Sequence, residues 1–147
     1  MDCFVAIAPR NDGFQMTSDR LFVYGTLMRG YVHPMAKLLS ANADFLGEAS
    51  CRGRLYMVKH YPGLVLSDDA SEIVHGELYR LRAPEELLRE FDMYEACGEG
   101  FPEPTQYVRT MFSVTLADGA SSRAWTYLYN WPVATLTRIE SGRFLGK

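Results

Sequence analysis

Only one stretch of this chain carries a sustained helical stripe, and it is short. Ala83-Pro84-Glu85-Glu86 opens it. The proline sits in the first turn, where its missing N–H is not needed, and the two carboxylates sit at the positive end of the helix dipole. Leu87, Leu88, Phe91 and Tyr94 then recur at helical spacing, and Gly98 and Gly100 mark its end. A second, weaker helix is expected over 31–40, with Pro34 in its first turn and Met35, Leu38 and Leu39 apolar. Elsewhere the apolar period is two and the runs are short.

Residues 20–24 alternate and then break at Gly25. Residues 43–57 form one or two strands with Gly47 and Gly53 as bends or bulges. Leu64-Val65-Leu66 and 73–81 are further strands. Residues 106–116 and 121–130 flank Asp118-Gly119, a strong hairpin signal. A short helical turn is expected near 135–140. Many short strands with one good helix give an α+β domain whose sheet curls or closes into a small barrel.

The 147 residues are enough for one domain with its own core. Residues 1–15 read as a loosely held tail, or as an upstream start preceding Met16, and 16–147 as the domain. The net charge of −3 gives no reason to expect nucleic acid or an anionic membrane as partner, and no apolar run reaches the length of a membrane span. Cys3, Cys51 and Cys97 are odd in number and lack metal-ligand spacing. They indicate a reducing, cytoplasmic setting without a disulfide framework or zinc site.

Glu95 falls inside the apolar stripe of the helix that opens at Ala83-Pro84, between Phe91 and Leu88 on the helical wheel, if the helix keeps its geometry that far. An inward carboxylate in a last helical turn is penalised both by burial and by the helix dipole. Both effects raise its pKa towards neutrality, which suits a general acid/base. The competing reading is structural: Glu95 caps a backbone N–H or pairs with Arg109. Tyr107 and Arg109 share one strand face, as do Trp125, Tyr127 and Tyr129. These faces line a pocket or simply pack across strands. Gly25 to Gly30 has the glycine spacing of half a phosphate loop, but Tyr31-Val32 stands where lysine and a hydroxyl are needed, so a nucleotide triphosphatase is excluded. His33, His60 and His75 are isolated, which favours surface or structural roles.

Tyr24-Gly25-Thr26-Leu27-Met28-Arg29-Gly30 resembles the opening motif of the γ-glutamylcyclotransferase-like superfamily, which includes the AIG2-like proteins and the γ-glutamylamine cyclotransferases. Gly53-Arg54-Leu55-Tyr56, Tyr61-Pro62-Gly63-Leu64, His75-Gly76-Glu77-Leu78-Tyr79, Phe91-Asp92-Met93-Tyr94-Glu95 and the segments at 107–109 and 124–130 resemble its later motifs, in order. The resemblance implies a small mixed β-barrel flanked by short helices, with one cavity. It implies that Tyr24, Gly25, Thr26 and Leu27 bind a γ-glutamyl group through the backbone. Glu95 is then the acid/base, and Arg109 and Tyr129 are further substrate-binding residues. Tyr31-Val32-His33-Pro34 differs from the polar run of the γ-glutamylamine branch.

The implied reaction is intramolecular aminolysis, releasing 5-oxoproline and a free amine or amino acid without metal or cofactor. The expected partner is a small γ-glutamyl substrate, and the expected state a monomer or weak homodimer. Two alternatives are a binding or stress-response module on the same fold, and an enzyme that removes a γ-glutamyl protecting group in a biosynthetic pathway.

Overall fold

A computed structural model describes residues 19–25, 27–28, 33–95 and 104–144. The expectations for residues 1–15, for Thr26 and for the helix-ending Gly98 and Gly100 therefore lie outside the described residues. Among the described residues the elements follow in order: β1 (Arg20–Val23), α1 (Pro34–Asn42), β2 (Ala43–Met57), β3 (Pro62–Leu66), β4 (Ile73–Leu81), α2 (Pro84–Tyr94), β5 (Tyr107–Leu116), β6 (Ser121–Tyr129) and β7 (Thr137–Arg138).

The strands close on themselves. β1 pairs β4, β4 pairs β2, and β2 pairs β3, all antiparallel. Two parallel contacts complete the ring: Leu64 of β3 opposite Leu128 of β6, and Leu21 of β1 opposite Trp125 of β6. The result is the small mixed barrel, with β5 spanning from β6 to the far part of β2. Closure removes the exposed edges that such short strands would otherwise present.

β2 runs unbroken through both of its glycines. A bulge at Gly47 shifts its register against β4, whereas Gly53 stays in regular register opposite Leu66. Residues 135–140 are not helical, contrary to expectation. β4 leaves β2 after Arg52, and the vacated edge takes Thr137 and Arg138 as β7, opposite Met57 and Tyr56. The Ile139 N–H extends this pairing by donating to Leu55 O at 2.7 Å.

The alternation of β1 divides the core in two. Phe22 and Tyr24 face an apolar cluster with Leu55, Leu64, Val74 and Leu78 inside the ring. Leu21 and Val23 face a second cluster, where Leu39 of α1 and Leu87, Leu88 and Phe91 of α2 pack on the barrel. The two helices thus cover one outer face, near the point where β1 ends.

Gly76 sits where β4 crosses β1 most closely. A Cβ there would lie 2.2 Å from Val23 O and 2.8 Å from the Phe22 ring. Gly76→Ala is expected to destabilise the fold by about 1–3 kcal/mol, the usual cost of overpacking. Urea denaturation checks this, and an unchanged midpoint would contradict so close a crossing.

Candidate active site

The described residues enclose a cavity of about 260 Å³ where β1 runs out. Its walls come from five directions. Val23 to Gly25 and Leu27 supply one side, the α2 terminus supplies Tyr94 and Glu95, and Tyr61 and Pro62 lead into β3. Tyr107 of β5 and Tyr127 of β6 form the floor, and His33 stands at the start of α1.

Gly25 has no room for a side chain. A Cβ would meet the Pro62 ring at 2.7 and 2.8 Å. Backbone, not side chain, is therefore what this position presents. The turn that follows is pinned by the Met28 N–H, which donates to Gly25 O at 3.0 Å.

Three tyrosine hydroxyls around the cavity donate to fixed acceptors. Tyr24 donates to Tyr127 O at 2.5 Å and accepts from the Leu64 N–H at 3.2 Å. Tyr107 donates to Pro62 O at 2.6 Å, and Tyr127 to Asp92 Oδ1 at 2.7 Å. Burial pushes all three phenols well above their usual range, so they are neutral walls at any ordinary pH.

Glu95 caps α2, its own N–H donating to Phe91 O at 2.9 Å. Its carboxyl faces the cavity. Burial, and then the negative charge of Asp92 one turn earlier, push it up to about 8. It therefore exchanges a proton near neutrality. The helix ends at Tyr94, one residue short of Glu95, which lines the cavity as the cap of α2.

Arg109 sits elsewhere. Its Nε and Nη2 donate to Asp92 at 2.8 and 3.1 Å, and its guanidinium lies 4.5 Å from the centre of the Trp125 ring. It is not among the residues lining the cavity; with Asp92 and Trp125 it lines a separate groove along α2. Tyr129 lies behind the cavity wall, with its ring centre 5.5 Å from that of Tyr107. Of the residues anticipated for the site, Tyr24, Gly25, Leu27 and Glu95 meet in one cavity, Arg109 and Tyr129 stand one layer out, and Thr26 is not described.

Sequence reasoning passed over four neighbours. His60 and Tyr61 line the cavity, their rings 5.0 Å apart. His33 caps α1, its Nδ1 accepting the Met35 N–H at 3.0 Å, and its ring lies 5.1 Å from that of Tyr94. Its place directly before Pro34 was the available signal for a cap. Asp92 was signalled only by lying three residues before Glu95. Cys51 is buried in the barrel, which pushes its thiol up to about 12 and leaves it unreactive. Among the described residues no His, Cys, Asp and Glu cluster of three or more could hold a metal ion, and no helix is long and apolar enough to cross a membrane.

Residues 21–146 match the family model described as gamma-glutamyl cyclotransferase, AIG2-like. The gamma-glutamylcyclotransferase family protein ytfP of Citrobacter rodentium is 36% identical over 131 residues, covering 87% of this chain and 96% of that one. The solution structure of ytfP from Escherichia coli matches with a TM-score of 0.57 at 35% identity, over 86% of this chain and 96% of that one. An AIG2-like protein from Mus musculus has a TM-score of 0.65 at 26% identity, over 83% and 86% of the two chains.

The raised Glu95 carboxyl has a consequence for stability. Unfolded, it ionises near its ordinary value of 4.5; folded, only near 8. Between those values the unfolded chain binds fewer protons, so stability falls as pH rises. Glu95→Gln removes this loss. The melting temperature of the variant should gain on that of the parent from pH 5 to pH 8 and hold level above; parallel curves would show that Glu95 titrates as an ordinary surface carboxylate.

Proposed function

The chain belongs to the gamma-glutamyl cyclotransferase, AIG2-like family, and from that membership we propose that it cyclises a γ-glutamyl substrate, releasing 5-oxoproline and a free amine. One observation carries the reading. Glu95, the cavity-lining carboxyl tuned to exchange protons near neutrality, shares one cavity with Gly25, a position that can present only backbone to a ligand.

A γ-glutamyl substrate contains both its nucleophile, the α-amine, and its electrophile, the γ-carbonyl. Holding the chain curled brings them together, so orientation supplies several kcal/mol of the barrier. The amine attacks only when neutral, and Glu95 as carboxylate accepts its proton. A bond forms from the α-nitrogen to the carbonyl carbon, and the negative charge moves onto the carbonyl oxygen. Backbone N–H groups of the segment after Tyr24 are the donors available to it. Collapse breaks the original amide bond as Glu95 returns its proton to the leaving nitrogen; the ring nitrogen, left with one proton too many by the attack, gives it to the Glu95 carboxylate, which passes it to the departing amine. Every atom of the substrate appears in the two products, and no water is consumed.

The tyrosines give the cavity its shape rather than its protons, since their hydroxyls already donate to Tyr127 O, Pro62 O and Asp92. Tyr61 and His60 line the same cavity.

The test is release of 5-oxoproline from γ-glutamyl dipeptides, γ-glutamyl-ε-lysine and glutathione. Turnover of at least one is expected, with kcat rising with pH towards about 8 as Glu95 ionises. Glu95→Gln should lower it by about 10²–10⁴-fold, the usual worth of a general acid/base, with folding retained. Full activity in that variant removes Glu95 from the mechanism. Silence across the panel, with saturable binding of a γ-glutamyl compound, would instead favour a binding module on this fold.

A further inference from the structure

Asp92 is a buried carboxylate that the reaction itself does not use. Its side chain is 4% exposed and that of Arg109 is 6% exposed. Its Oδ1 accepts from Arg109 Nε at 2.8 Å and from the Tyr127 hydroxyl at 2.7 Å, and its Oδ2 from Arg109 Nη2 at 3.1 Å. Three donors from two strands thus fix one carboxylate on α2. Asp92 and Glu95 are three residues apart at the helix end, on neighbouring positions of one face. Tyr127 joins the two layers, because its ring lines the cavity while its hydroxyl is spent on Asp92.

We propose that Asp92, clamped by Arg109 and Tyr127, is a positioning residue for Glu95: it fixes the last turn of α2, which Glu95 caps, and holds a negative charge in a fixed place beside the Glu95 carboxyl. The inference rests on the proposed role of Glu95. A carboxylate held rigidly one helical turn from a second one disfavours ionisation of the second. The other titratable groups facing Glu95 are the hydroxyls of Tyr24 on β1, Tyr107 on β5 and Tyr127 on β6, with His33 and His60 lining the same cavity. The three tyrosines stay neutral at working pH, so Asp92 is the charged neighbour that adds to burial in raising the Glu95 carboxyl. Arg109, which stands outside the cavity, holds that anion in place.

The proposal separates charge from architecture. A purely structural Asp92 would change stability when altered and leave the Glu95 titration where it is. The experiment is an NMR titration of the Glu95 side-chain carboxyl in the full chain, beside the pH dependence of kcat and KM for 5-oxoproline release. In Asp92→Asn, which keeps an acceptor for Tyr127, the Glu95 midpoint should fall by about one pH unit or more. The acid limb of the kcat profile should fall with it, while KM changes little. Asp92→Asn leaves Arg109 buried without its partner and is open to misfolding. The pair Asp92→Asn with Arg109→Met leaves no unpaired charge, and its midpoint should move in the same direction. A midpoint unmoved or raised in the folded variant overturns the proposal. Because the titration needs no substrate, a chain inactive on every γ-glutamyl compound would defeat the proposed reaction while this readout still decides for or against Asp92.

Discussion

The buried pair of Asp92 and Arg109 is the contact on which the site depends. Two charges at 4% and 6% side-chain exposure are tolerable only when their hydrogen-bonding capacity is met. Here it is met by a two-pronged guanidinium contact, by the Tyr127 hydroxyl, and by the Trp125 ring beside Arg109. Removing one partner of such a pair typically costs about 3–5 kcal/mol, because the other charge is stranded. The pair also has a mechanical effect. It fastens the last turn of α2 to β5 and β6, and the residue completing that turn is Glu95. Without that fastening a helix of eleven residues would end on a carboxylate that both burial and the helix dipole push outwards.

Tyr127 extends the fastening to the other side of the cavity. Its carbonyl accepts the Tyr24 hydroxyl and its own hydroxyl reaches Asp92, so the strand carrying Gly25 and the helix carrying Glu95 hang on one residue. Tyr24 in turn accepts the Leu64 N–H, and Tyr107 donates to Pro62 O, which bind β3 into the same arrangement. Phenols with occupied hydroxyls and strongly raised pKa values make rigid, neutral walls. Among the described residues Glu95 is the carboxyl lining these walls, and in such surroundings its charge state matters more than it would in water.

Much of this was legible in the chain, and the limit falls at a definite place. The start of α2 at Pro84, the 73–81 strand and the hairpin at Asp118-Gly119 follow from local spacing and turn chemistry and formed where that spacing put them; the end of α2 at Tyr94, ahead of the glycines expected to stop it, did not. Glu95 was legible as inward for the same reason. β7 was not, because its pairing depends on the edge of β2 left open beyond Arg52, and a two-residue strand has no period to detect. Arg109 was legible as sharing a face with Tyr107, and both are buried. What alternation could not give was depth: Tyr107 reaches the cavity, while Arg109 stops one layer outside it, against Asp92. That partner comes from a helix in contact with the strand only through the closed fold. His33 and His60 were likewise placed at the cavity by tertiary packing rather than by spacing.

The position of the Glu95 carboxyl on the proton scale bears on the proposed chemistry. The α-amine of a γ-glutamyl group stands beside a free α-carboxylate, so it holds its proton to a higher pH than the roughly 7.7–8.0 of a peptide N-terminus. Transfer from that ammonium to a carboxylate of ordinary affinity, near 4.5, is uphill by at least about 4–5 kcal/mol, which would be added to the barrier for attack. With Glu95 at about 8 most of that addition is removed. The same carboxyl, once protonated, still holds a proton it can deliver to the departing nitrogen. An ordinary carboxylate would be a poor base towards the ammonium, and a group of much higher pKa would be almost wholly protonated at neutral pH and poor at protonating the leaving amine. Burial, with the anion of Asp92 beside it, places Glu95 between these extremes, and because Arg109 holds that anion from outside the cavity, the walls stay free to be shaped for the proposed leaving amine.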